Sequence, residues 1–222
     1  MADPIIWGPA MWNVLFEAAF RLPKDACVRL FQEMSNLLPC LHCRKSYGLY
    51  VERFPPSKCI NSEDLSAARY IWSVKDSVNQ KLGTACLPFS VTCSRFMTFT
   101  QRSSAHDVLD CLGILALYIE TQEQADSYAI CAPILCSLAS ALDGKLKYPA
   151  VDEYHTSPAT AWIHAHECRN VFRVFRGVPP QTRAEMRKQL MPISGEEEKK
   201  ENKTTKKRQR DGRVSRSSRA RK

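Results

Sequence analysis

Two cysteines spaced two residues apart, in the stretch Leu38-Pro39-Cys40-Leu41-His42-Cys43, are the first residues of this chain equipped to do chemistry. A Cys-x-x-Cys pair serves as a redox-active dithiol, as half of a zinc site, or as two small packing side chains. Pro39 stops the helical pattern that precedes it, so Cys40 falls at the start of the next helix, where free backbone N–H groups and the helix dipole stabilise a thiolate. His42, between the cysteines, either adds positive charge or is a solvated turn residue. Zinc requires a second pair of ligands, and neither a second Cys-x-x-Cys nor a His-x-x-x-His occurs in the sequence. The best remaining candidates, His164, His166 and Cys168, lie on a helical pattern in which positions i and i+2 point apart. The expectation is therefore a dithiol and no metal site.

The elements that must hold this pair read as helices. In "PAMWNVLFEAAF" the apolar residues Met11, Leu15, Ala18 and Ala19 recur at helical spacing behind Pro9, which suits a first turn. "KDACVRLFQEMSNLL" repeats the pattern through Cys27, Leu30, Phe31, Met34 and Leu37. A third helix starts at the cysteine pair and carries Tyr47, Tyr50 and Val51 up to "FPP". The fourth opens on an Asn or Ser cap in "NSEDLSAARYIW" and closes at Gly83. Residues 84–104 read as a connector with one short helix. Helical patterning resumes over residues 105–144 and again in "ATAWIHAHECRNVFRVFRG", with no strand alternation and no internal repeat. The expected class is all-α, divided into residues 1–100, a second helical region at 105–190 and a basic tail at 195–222.

Composition narrows the setting. The chain has 222 residues, 44% hydrophobic, with nine Phe, seven Tyr and four Trp, enough to bury a core. No run of eighteen apolar residues and no basic segment leading into an apolar one appears, so neither a membrane span nor a signal peptide is expected, and the expected location is cytoplasmic or nuclear. In a reducing compartment ten cysteines point to metal or catalytic chemistry more than to structural bridges. Residues 196–222 carry twelve Lys or Arg against five Asp or Glu, and so hold seven of the nine net positive charges. With Val214 and Ala220 as its only aliphatic side chains, this tail is expected to be disordered and to make nonspecific electrostatic contact with nucleic acid.

Three blocks, in order, resemble the Erv/ALR-type FAD-linked sulfhydryl oxidases, in particular the short forms encoded by large DNA viruses. "WGPAMWNVLF" is similar to that family's opening segment, "LPCLHCRKSYGLYVERFPP" to its proline-preceded Cys-x-x-Cys helix, and "YIWSVKDSVNQKLG" to its last flavin helix. Together they cover residues 7 to about 84. The resemblance implies a four-helix bundle with a short fifth helix, often homodimeric, with FAD between the helices. It also implies flavin contacts from Trp7, Gly8, Trp12, Tyr47, Val78, Asn79, Lys81 and Leu82. Two positions depart from the family pattern, because Phe16 and Lys75 stand where its flavin-packing histidines usually stand; they are retained as contacts, Phe16 as a stacking ring and Lys75 as a phosphate partner. The implied activity is disulfide formation in protein thiol substrates or in a partner thiol-disulfide protein. A substrate thiolate would attack the outer sulfur, Cys40, and Cys43 would pass two electrons to the flavin and on to oxygen, giving hydrogen peroxide.

The remaining cysteines are given lesser roles. Cys27 reads as a small core residue and Cys131 and Cys136 as packing, while the resemblance implies a structural disulfide among Cys59, Cys86 and Cys93. Trp72 reads as core. The alternative function is a nonenzymatic helical adaptor that has lost FAD and binds virion components or nucleic acid through residues 105–190 and the tail. Removal of residues 196–222 is expected to lower the salt concentration at which the protein elutes from a heparin column while leaving oxidation of small thiols unchanged; a large loss of oxidation would contradict a separate electrostatic tail.

Overall fold

The computed structural model describes residues 3–97, 103–144, 146–150 and 157–191, and among these every regular element is a helix. The basic tail and its expected disorder lie outside the described residues. Helix α1 spans Pro4–Arg21, α2 Lys24–Leu37, α3 Leu41–Arg53, α4 Pro56–Cys59, α5 Ser66–Lys81, α6 Phe89–Met97, α7 Ala105–Leu117, α8 Gln122–Asp143, α9 Pro158–Phe175 and α10 Arg183–Leu190.

Local chemistry accounts for most of these ends. Serine or threonine caps open α7, α8 and α9 in reciprocal capping boxes (Ser104 with Asp107, Thr121 with Gln124, Ser157 with Thr160), and Gly144 closes α8 at φ +83°. Two starts differ from expectation. The first helix begins before Pro9, because Asp3 accepts the Ile5 N–H at 2.9 Å and Pro4 fits the first helical position, which leaves Pro9 exposed inside α1. The helix expected from Asn61 or Ser62 begins at Ser66, because Leu65 adopts a left-handed conformation at φ 61° and Asn61 instead closes a local turn onto the Glu63 N–H.

The chain does not divide near residue 100, where the composition suggested a boundary. Residues 1–183 form one compact unit and a second begins at Ala184, so α10 stands almost wholly in the second. What unites the first is α2, which packs against both α3 and α8. Toward α3 and α5, the Tyr47 hydroxyl donates to the Phe31 carbonyl at 3.0 Å, and Phe31 stacks on Tyr70 at 5.9 Å. Toward α8 the contact is partly polar: Asn36 donates to Ser127 at 3.0 Å, Ser127 donates to Glu33 at 2.7 Å, and Gln124 donates to the Asn36 carbonyl at 3.2 Å. By length and a mean hydropathy of 1.4, α8 is apolar enough to cross a membrane, but 56% of that stretch is buried inside the protein.

Helix α7 packs on α1, α8 and α9, and its contact with α9 holds a charge. The Arg169 guanidinium, fully buried, pairs with Asp110 at 2.6 Å and leaves Nε and Nη2 without hydrogen-bond partners. Burial pulls the Arg169 pKa down and pushes that of Asp110 up, so the two ions depend on each other to stay charged. Asp110→Ala strands a buried cation and is expected to cost about 3–5 kcal/mol in urea unfolding. Adding Arg169→Met should recover most of that loss, and a single variant as stable as the wild type would show that the pair carries no such weight.

Candidate functional site

The turn between α2 and α3 builds the dithiol. Cys40 is the N-cap residue of α3, and its sulfur accepts the backbone N–H of Cys43 at 3.3 Å. That is the position of an N-cap serine or aspartate oxygen, with sulfur in its place, so the helix start stabilises negative charge on Cys40. Arg44 secures the turn by donating from Nη1 to the Leu38 carbonyl at 2.7 Å. The Cys43 thiol is pushed up to about 12, first by burial, then by its hydrogen bond to Cys40 and by the charge there, against weaker lowering by its own backbone and by Arg44. The Cys43 thiol therefore keeps its proton well above neutrality. His42 is exposed.

Exposure of the two sulfur residues runs opposite to expectation. Cys40, expected as the outer one, is buried at 6%, whereas Cys43 is half-buried. The cause is the capping role, which turns the Cys40 side chain back over the first turn of α3. Beside Cys43, Arg44, Lys45 and Gly48 form one wall of a groove of about 390 Å³, and Asn36 of α2 with Glu120 and Glu123 around the start of α8 form another. Charged residues of both signs line it. The segment between α7 and α8, to which the sequence assigned no role, thus faces the same surface as the first turns of α3.

The expected flavin contacts fall into two groups. Trp7 is buried on α1 and its indole N–H has no partner, while Trp12, Val78 and Asn79 are half-buried on α1 and α5, two helices that pack together. Lys81 donates to Ser46 at 2.7 Å and ties the end of α5 to α3, with Leu82 exposed beyond it, and Gly8 leaves open space where a side chain would stand. The unpartnered buried indole N–H of Trp7 and the half-buried Trp12, Val78 and Asn79 are compatible in chemistry with a planar cofactor that has polar edges.

The second group is committed elsewhere. Phe16 is buried against Phe96 of α6, ring centroids 5.1 Å apart, and Phe20 covers the same ring at 5.6 Å. The Lys75 ammonium lies 5.5 Å over the Phe16 ring, its pKa lowered by burial, so it serves a cation–π contact in place of a phosphate. Tyr47 is buried under its bond to Phe31. At these three positions the chain fills with its own side chains what the resemblance reserves for the cofactor, and Phe96, on the short helix expected in the connector, supplies the ring that covers Phe16.

The remaining cysteines also depart in part from expectation. All ten are free, so no bridge joins Cys59, Cys86 and Cys93. Cys27 is a core residue as read, its thiol 3.4 Å from the Ala18 carbonyl and pushed up to about 12 by burial. Trp72 is half-buried and pins the connector by donating to the Leu87 carbonyl at 2.8 Å. His166 turns away to the Gln181 carbonyl at 2.7 Å, but His164 and Cys168, one turn apart on α9, meet Cys136 of α8. Cys136, read as packing, is buried facing two further side chains that can ligate metal.

No family model matches the chain, and neither a curated protein nor a solved structure matches it. Replacing Cys40 by alanine removes two of the three influences that raise Cys43. The thiolate fraction of Cys43 should then rise at any given alkaline pH, speeding its alkylation by iodoacetamide about tenfold for each unit its pKa falls. Mass spectrometry of the Cys43 peptide measures this; identical pH profiles in the two proteins would show that Cys40 does not bear on that proton.

Proposed function

We propose that the chain is a flavin-linked thiol oxidase that forms disulfide bonds in proteins, with Cys40 and Cys43 as its exchange centre. The observation that carries this reading is the capping geometry, in which one sulfur receives the helix-start N–H and the other keeps the proton. That asymmetry is what a dithiol needs to release one thiolate easily. Helices α1, α2, α3 and α5, with α6 as the short fifth, supply the elements of the bundle that the resemblance implies.

From the disulfide form, a substrate thiolate attacks Cys43, the less buried of the two. The S–S bond breaks and Cys40 leaves as a thiolate held by the Cys43 N–H. A second substrate thiolate attacks the substrate sulfur, forming the product disulfide and releasing Cys43, which takes up a proton because its pKa of about 12 lies far above neutrality. Two electrons then rest in the enzyme dithiol. Trp7, Trp12, Val78, Asn79 and Lys81 are the residues that would hold FAD, which when bound supplies a two-electron acceptor that oxygen reoxidises, with hydrogen peroxide as product. The groove of Arg44, Lys45, Glu120 and Glu123 offers charged contacts for the peptide flanking a substrate cysteine.

One observation favours a second reading. The Phe16–Phe96 stack closes the place of the family's histidines, as expected of a module that has given up its flavin and acts as an adaptor for virion components or nucleic acid.

The visible absorption spectrum of the purified protein separates the two. A flavin band that bleaches when dithiothreitol is added without air, and returns with air, is expected; no flavin uptake from excess FAD would sink the oxidase reading. Within that reading, Cys43→Ser should abolish turnover with flavin still bound. Quenching the disulfide form with acid during reaction with a limiting small thiol, and mapping the mixed disulfide by mass spectrometry, should place the adduct on Cys43. An adduct on Cys40 would return the attacked position to it.

A further inference from the structure

A second cluster of soft ligands lies between α8 and α9. Cys136, His164 and Cys168 are all buried, and one ligand atom from each lies within 4.8 Å of the others. The Cys136 and Cys168 sulfurs are 3.7 Å apart, and the Cys168 sulfur is 3.4 Å from His164 Nε2. Two sulfurs bound to one tetrahedral zinc stand about 3.8 Å apart, and a sulfur and an imidazole nitrogen about 3.5 Å apart. Both separations match edges of that tetrahedron, whereas a disulfide would need the sulfurs at about 2 Å.

The surroundings complete the case. A zinc-bound histidine normally donates from its other ring nitrogen to an oxygen, and here the Tyr128 hydroxyl lies 3.0 Å from His164 Nδ1. The Pro149 carbonyl, 3.1 Å from Nε2, is the partner that Nε2 would exchange for a metal. The Tyr148 hydroxyl is buried without a hydrogen-bond partner, and its pKa is raised by burial and also by Asp143, Cys136 and Cys168, which places an unclaimed oxygen in the same neighbourhood. Two thiolates and a neutral imidazole around a divalent ion sum to zero charge, the condition a buried site requires.

We infer that Cys136, Cys168 and His164, through Nε2, form a structural zinc site, with an oxygen ligand in the fourth position. Binding converts two thiols and one zinc ion into a dithiolate complex and two released protons, with no change in oxidation state. The site joins α8 to α9 and to the segment at Pro149, and it is independent of the oxidase reading.

Metal analysis of the full chain expressed with zinc tests it. Close to one zinc per chain is expected, both in the wild type and in a Cys40→Ser/Cys43→Ser variant, which excludes the other cysteine pair as its holder. Cys136→Ser and Cys168→Ser should lose it, and His166→Ala should keep it. Cobalt added to the zinc-free chain should give tetrahedral d–d bands and a sulfur-to-cobalt charge-transfer band, both absent in Cys136→Ser. Should the cysteine variants fail to fold, the zinc content of the wild type and of the Cys40→Ser/Cys43→Ser variant still decides. No bound metal, a Cys136–Cys168 disulfide in the peptide map, or metal lost with Cys40 and Cys43 alone would each overturn the inference.

Discussion

Helix α2 has to be covered on two sides, and much of the molecule follows from how that is done. One side presents Phe31 to Tyr47 and Tyr70, and the other presents Glu33 and Asn36 to Ser127 and Gln124 of α8. An apolar stripe on one helix buries a single face. The second face is satisfied by hydrogen bonds, which demand tighter register than apolar contact does. This is why the two helical regions, separable by composition, share one compact unit.

The capping role of Cys40 has consequences in both directions. It draws the Cys40 sulfur under the turn, leaves Cys43 half-buried, and helps hold the proton on Cys43. A serine at the same position would cap the helix better but do no exchange chemistry. Helix geometry thus sets the position, and sulfur at the cap makes thiol exchange chemically available there.

Around the expected cofactor the chain makes two different choices. At Trp7 it leaves an unpartnered buried donor, and Trp12, Val78 and Asn79 stay half-buried. At Phe16 and Lys75 it supplies its own ring and its own cation–π contact through Phe96 and Phe20. Phe16 is a packed ring because α6 brings Phe96 against it.

What the sequence determined by itself is local. Proline at 39 and the run of apolar residues placed a helix start at Cys40, the Ser104, Thr121 and Ser157 caps and Gly144 marked other ends, and the all-helical class followed from periodicity, because each signal acts within a turn or two of chain. The misplaced starts of α1 and α5 turned on single residues, Asp3 and Leu65, whose local geometry competes with the pattern. Tertiary structure alone decided which sulfur is exposed, that Phe96 covers Phe16, that α8 closes the second side of α2, and that Cys136 meets residues 28 and 32 positions away. Spacing on one helix carries no information about a facing helix. Side chains from distant segments converge only when packing sets the rotation and height of each helix against the next.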